Sequence, residues 1–117
     1  MVVSFTFVRK REGISDAEFF ARWTEHTRDF DLRDHPYITK NRLMMVAGHP
    51  DYVGIAENHW PDMDAMLATS AFYADTDAGR EHWADLQTFM DIDASPTVIV
   101  TQEADVADAG TTITSYL

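Results

Sequence analysis

"VVSFTFVRKREGISDAEFFARWTEHTRDF", residues 2–30, is the stretch that decides the fold. Its first nine residues are rich in β-branched and aromatic side chains. Val3, Phe5 and Phe7 fall on one face of an extended segment and Ser4, Thr6 and Val8 on the other, which predicts a strand over 2–10. Gly13 breaks that pattern, and Ser15 stands as an N-cap with Glu18 three residues on, the spacing of a capping box. Phe19, Phe20, Trp23, Thr27 and Phe30 then recur at helical spacing, so a helix is expected from about Asp16 to about Phe30.

Working outward, "YITKNRLMMVA" (37–47) and "YVGIAENHW" (52–60) are strand-like and flank the turn "GHPD", which predicts a hairpin. Pro61 ends the second strand. "PDMDAMLATSAFY" reads as a short helix with Met63, Met66 and Leu67 on one side. "DTDAGREHWADLQTFMD" resumes a helical pattern through Trp83, Leu86, Phe89 and Met90, with Thr76 or Asp77 as its cap. "SPTVIVTQE" (95–103) is the last clear strand, and 104–117 is a tail that begins acidic and ends β-prone, suited to an added edge strand. The order is β-α-β-β-α-β. That is the α+β, ferredoxin-like arrangement, an antiparallel sheet with helices on one face. Its second face, expected to carry Val53, Ile55 and Ile99, is more apolar than water should see, so a homodimer packing sheet against sheet is expected.

The totals narrow the function. At 117 residues, 45% hydrophobic and 12% aromatic, the chain builds one core. Without cysteine it has no disulfide, thiolate nucleophile or thiolate metal ligand. Twenty acids against nine bases give a formal charge of −11, which repels nucleic acid and anionic lipid alike and favours neutral or weakly acidic small molecules. No apolar run approaches the roughly 18 residues of a membrane span, and "MVVSFTFVRKR" places its charges after a short apolar run, the reverse of a signal peptide, so a cytoplasmic location is expected. No G-x-S-x-G, GxGxxG, P-loop or zincin pattern occurs.

Among polar candidates, the five histidines show no HxH or HxxxH spacing, so no metal site is expected. His26 lies three residues after Trp23, at the flank of the apolar stripe. There it is either a boundary residue hydrogen-bonded to a backbone carbonyl, Asp29 or Glu25, or a general acid-base group. In the third strand, Gly54, Ala56, Asn58 and Trp60 share one face. If that face meets the helices, the two small residues leave a space, Asn58 puts an amide in it and Trp60 walls it. Glu57 and His59, on the other face, suit an interface. Tyr37, Tyr73, His82 and Trp83 are placed to line a pocket mouth, and the methionines read as core filler.

The run "VRKREGISDAEFFARWTEH", the "YVGIAENHW" strand and "REHWADLQTFMD" together resemble the EthD-like family of dimeric α/β barrels over residues 2–103. The resemblance implies a homodimer with a pocket between sheet and helices, chemistry on small molecules without metal or organic cofactor, and His26 as a pocket residue. The family histidine usually follows the tryptophan by four residues; here it follows by three, a rotation of about 100° on a helix. "RLMMVAG" and "ENHW" are also similar to methylmuconolactone methylisomerases, with Asn58 where that group carries a reactive cysteine, so a thiolate mechanism does not carry over. Where polyketide cyclases have strand histidines, this chain has Phe5 and Gly54. These readings lead to a cofactor-independent isomerase, cyclase or dehydratase acting on a small apolar carbonyl compound. His26 and Asn58 are its catalytic candidates, and Phe5, Trp23, Tyr37, Trp60, Tyr73, His82 and Phe89 its substrate-binding ones. A cofactor-independent monooxygenase of phenols and a non-catalytic binding protein are the alternatives.

Overall fold

The computed structural model describes residues 2–30 and 35–102, so the expected tail and its edge strand lie outside the described residues. Seven elements follow in order: β1 (Val2–Val8), α1 (Asp16–Asp29), β2 (Lys40–Met45), β3 (Gly54–Trp60), α2 (Met63–Asp75), α3 (Asp77–Leu86) and β4 (Thr97–Val100). The strands form one antiparallel sheet in the order β2-β3-β1-β4, the ferredoxin-like topology.

Local chemistry sets the boundaries. Ser15 Oγ accepts the Glu18 amide at 3.1 Å, as a capping box requires, but the Glu18 carboxylate runs forward to Arg22 instead of back to Ser15. The β2–β3 hairpin turns through Gly48, whose φ of +74° suits a residue without a side chain, and His49 Nδ1 accepts the amides of Asp51 and Tyr52. Thr76 separates α2 from α3. Its hydroxyl donates to the Phe72 carbonyl and accepts the Gly79 amide, so one side chain ends one helix and starts the next. A Cβ at Gly79 would collide with the Phe72 carbonyl, which fixes how closely the two helices meet. The helical pattern read through Phe89 and Met90 in fact stops at Leu86. Turn hydrogen bonds then swing the chain so that Met90 bridges to Lys10 beside β1.

Strand register assigns every side chain to a face. Ser4 pairs with Asn58 and Ile99, and Thr6 with Ala56 and Thr97, so these share the face under the helices. Phe5 pairs with Glu57 and Val98 on the outer face. Two assignments change as a result. Ile99 faces the helices, and the outer apolar groups at that edge are Val98 and Val100. Val53 sits in a bend before the ladder begins, where alternation does not hold, and joins the core. Leu67, expected on the buried side of α2, is 62% exposed, while Met66 faces inward.

The core comprises Val8, Phe19, Trp23, Val53, Ala56, Phe89 and Met90. Phe19 meets Trp23 and Phe89 edge-on at 5.2 and 5.6 Å between ring centroids. The Trp23 indole lies where a side chain at position 54 would be, since a Cβ there would come within 2.5 Å of the ring. Gly54 is thus filled from α1 and opens no space of its own. Replacing it by valine should lower stability by about 1–3 kcal/mol through overpacking against a rigid ring. Urea denaturation measures this, and an unchanged midpoint would contradict the packing.

Candidate functional site

Beyond Trp23 the helices stand away from the sheet. The gap is a cavity of about 390 Å³, within the range of small-molecule sites. Its floor is the helix-facing side of the sheet, including Ser4, Thr6, Asn41, Ala56, Asn58, Trp60, Thr97 and Ile99. Its roof is His26 of α1 with Phe30 at that helix's C-cap, Thr69 and Tyr73 of α2, His82 and Trp83 of α3, and His35 ahead of β2. Among the described residues, the only side chains lining it that carry a proton-dependent charge are three histidines and a tyrosine.

His26 is 6% exposed and uses both ring nitrogens. Nδ1 lies 2.6 Å from Asp85 Oδ2 and Nε2 lies 3.1 Å from His82 Nε2. With Nδ1–H donating to Asp85, the Nε2 lone pair accepts Nε2–H of His82, so Asp85, His26 and His82 form a hydrogen-bonded chain ending in the cavity. Helix geometry makes it possible, because His82 and Asp85 are three apart on α3 and share a face. Burial lowers the His26 pKa, and the Asp85 hydrogen bond and charge oppose that shift. Burial also pushes His82 down to about 4, helped by the proximity of His26 and His35 and opposed by Asp85. With both pKa values lowered from the ordinary 6.5, the resting pair is neutral at pH 7.

Across the cavity, Asn41 Nδ2 donates to Asn58 Oδ1 at 2.5 Å, which commits the Asn58 carbonyl and leaves its N–H groups as donors. The Trp60 indole N–H donates to Ser4 Oγ. His35 Nδ1 accepts the amides of Tyr37 and Ile38, and its Nε2 lies 3.3 Å from the Tyr73 hydroxyl. Burial lowers His35 to about 4 and raises Tyr73 to about 12.

Of the residues singled out from sequence, the structure brings His26, Asn58, Trp23, Trp60, Tyr73 and His82 to one cavity. Three others lie elsewhere. Phe5 is on the outer face, as its alternation with Ser4 and Thr6 demands. Phe89 is fully buried behind His26, with ring centroids 5.7 Å apart, and supports the site from the core. Tyr37 gives His35 a backbone amide, and its ring does not reach the cavity. The partners expected for His26, Asp29 and Glu25, give way to Asp85 and His82 from α3. Asp85, His35 and Asn41 were missed. The H-x-x-D spacing of His82 and Asp85 was a readable signal, as was the His-Pro pair at 35–36 repeated at 49–50. Among the described residues, no three His, Asp or Glu side chains are arranged to hold a metal ion, and no helix is long and apolar enough to cross a membrane.

No family model matches the chain, and no curated protein does. Solved structures do match. An EthD family protein from Bacillus halodurans superposes with a TM-score of 0.62 at 15% identity, covering 88% of this chain and 100% of the other. SnoaB, a cofactor-independent oxygenase from Streptomyces nogalater, gives 0.59 at 18% identity, covering 92% and 98%. A dimeric protein of unknown function and ferredoxin-like fold from Bacteroides fragilis gives 0.60 at 11% identity, covering 85% and 93%. At these identities the likeness is one of fold.

The buried imidazoles make stability depend on pH. Unfolded histidine takes up a proton near 6.5, whereas folded His35 and His82 do so near 4, so the unfolded chain binds more protons in between. Stability should therefore fall as pH drops below 6.5. The urea midpoint should decline down to about pH 5, before carboxylates contribute, and decline less in His82→Gln. A flat midpoint in wild type over that window would refute the neutral cluster.

Proposed function

We propose that the protein is a cofactor-independent acid-base enzyme of the isomerase, cyclase or dehydratase type, acting on a small, mostly apolar carbonyl compound such as a lactone, polyketide or aromatic catabolite. The observation that carries this reading is the Asp85–His26–His82 chain in the roof of the cavity, facing the Asn41–Asn58 pair in its floor. A neutral imidazole pair takes a proton from the carbon beside the carbonyl, and the charge it gains is offset by Asp85. The electrons of the broken C–H bond move to the carbonyl oxygen, where the Asn58 N–H groups hold the enolate. Return of the proton to another carbon isomerises the substrate, whereas loss of a β-hydroxyl dehydrates it. Trp23 and Trp60 give the substrate an apolar wall. With no Lys or Arg at the cavity among the described residues, a fully ionised substrate lacks a counter-charge, which favours neutral ligands.

A second reading draws on the shared fold of SnoaB, a cofactor-independent oxygenase. Here the imidazole pair deprotonates a phenol, and the electron-rich anion itself reduces oxygen.

Deuterium exchange detects the first of these reactions whichever carbonyl compound is the substrate. In heavy water, NMR of a panel of lactones, 1,3-diketones and aryl ketones should show exchange beside the carbonyl of at least one compound, about 10²–10⁴-fold slower with His26→Gln and also slowed in Asn58→Ala. Oxygen uptake with a hydroquinone or anthrone, and no exchange, decides for the oxygenase. Ligand binding unaltered in His26→Gln, with neither reaction, leaves a binding protein.

We also propose that two copies pack through their outer sheet faces. Phe5, Phe7, Ile55 and Val98 form an apolar field there, bordered by Glu57, which accepts from His59 at 2.7 Å and sits near Arg42. The hydrogen bond from His59 lowers the Glu57 pKa. The Bacteroides fragilis protein of the same fold is itself dimeric. Phe5→Glu should shift the mass seen by analytical ultracentrifugation from dimer to monomer; a wild-type monomer at micromolar concentration would refute the pairing.

A further inference from the structure

His35 reaches the cavity on unusual terms. It is followed by Pro36, which has no amide proton, and by Tyr37 and Ile38, whose amides both point at His35 Nδ1, at 3.1 and 3.0 Å. An imidazole nitrogen that accepts two N–H groups carries no proton. The ring proton is therefore on Nε2, which faces the Tyr73 hydroxyl at 3.3 Å. His49-Pro50-Asp51-Tyr52 builds the same turn on the protein's surface, with Nδ1 accepting from residues two and three ahead, so the arrangement is set by local chain and needs no help from the cavity.

The consequence passes to Tyr73. A hydroxyl that accepts from His35 has its own proton left for another partner. Among the described residues Tyr73 has no other hydrogen-bond partner, and its ring lines the cavity between His35 and His82.

We propose that His35 is a positioning residue that turns the Tyr73 hydroxyl into a fixed hydrogen-bond donor, so that the cavity selects ligands presenting an acceptor oxygen, a carbonyl or its enolate, at that point. The inference rests on the proposed function and narrows its substrate class: the oxygen held there lacks a proton. The buried hydroxyl keeps its proton up to about pH 12, so it serves as a donor throughout the working range. Protonating His35 at Nδ1 would set a third N–H against two amide N–H groups, which adds to burial in keeping the ring neutral. The groups facing the ring from packed elements are Tyr73 and His82; Phe72 and Trp60 contribute only apolar edges.

Two measurements test this on the full chain. In ¹⁵N-labelled protein, two-bond ¹H–¹⁵N spectra should show His35 as the Nε2–H tautomer at neutral pH; an Nδ1–H tautomer overturns the proposal. In tryptophan-fluorescence titrations, 1-tetralone, which has an acceptor oxygen, should bind wild type about five- to tenfold more tightly than tetralin, which has none, one charge-free hydrogen bond being worth about that much. Tyr73→Phe should cut the preference to what the Asn58 N–H groups alone supply, and a preference undiminished in that variant overturns the proposal. His35→Asn should reduce the preference while keeping the fold, because asparagine can accept the same turn amides without reaching Tyr73. Equal binding of both probes by wild type overturns this proposal alone. Failure of wild type to bind either probe overturns the apolar carbonyl site itself, and this inference with it.

Discussion

The indole of Trp23, seated in the space left by Gly54, is the contact on which the rest of the architecture depends. It brings α1 against the sheet at Gly54, with Phe19 and Phe89 packed edge-on behind it. The cavity lies beside that contact, with Trp23 in its wall. A close-packed interior tolerates such a void only when its walls are otherwise supported, and the support here comes from polar groups bonded to one another: Asn41 to Asn58, Trp60 to Ser4, His26 to Asp85 and His82.

Those bonds also settle the electrostatics. The chain carries a formal charge of −11, yet among the described residues no carboxylate, lysine or arginine lines the cavity. Acids lie outside, and one of them, Asp85, touches the site from behind His26 while its own side chain remains 43% exposed. The arrangement keeps the interior neutral at rest and still offers a compensating charge to an imidazole that gains a proton. Burial alone would make a poor base; burial with a carboxylate behind it makes one that is neutral yet ready to accept.

Much of this was legible in the sequence, for definite reasons. The strand-helix reading of residues 2–30 rested on alternation, a cap and a helical stripe, all local signals that the fold obeys. Alternation also put Gly54, Ala56, Asn58 and Trp60 on one face, and the structure turns that face toward the helices. What the sequence did not reveal was pairing across distance. Nothing local says that Asp85 meets His26, 59 positions away, or that Trp23 occupies the room at Gly54. Phe5 lies outside the cavity because it shares the parity of Val3 and Phe7, and that parity outweighs the family resemblance. Val53 changes face because it sits in a bend before the ladder, and the face of Ile99 is set by its pairing with Ser4, which alternation within one strand does not reveal. His35 was overlooked because its role depends on main-chain amides, which residue identity shows only through the repeated His-Pro pair.

The central position of β1 has a consequence for how this protein can change over generations. Its even-numbered residues Ser4 and Thr6 face the cavity and its odd-numbered neighbours Phe5 and Phe7 face outward. On the proposed reading, ligand preference and self-association are thus written in alternate letters of one seven-residue word. Substitutions can tune either property while sparing the other. A one-residue insertion or deletion within the strand exchanges the two alphabets at once, so drift here must proceed by replacement.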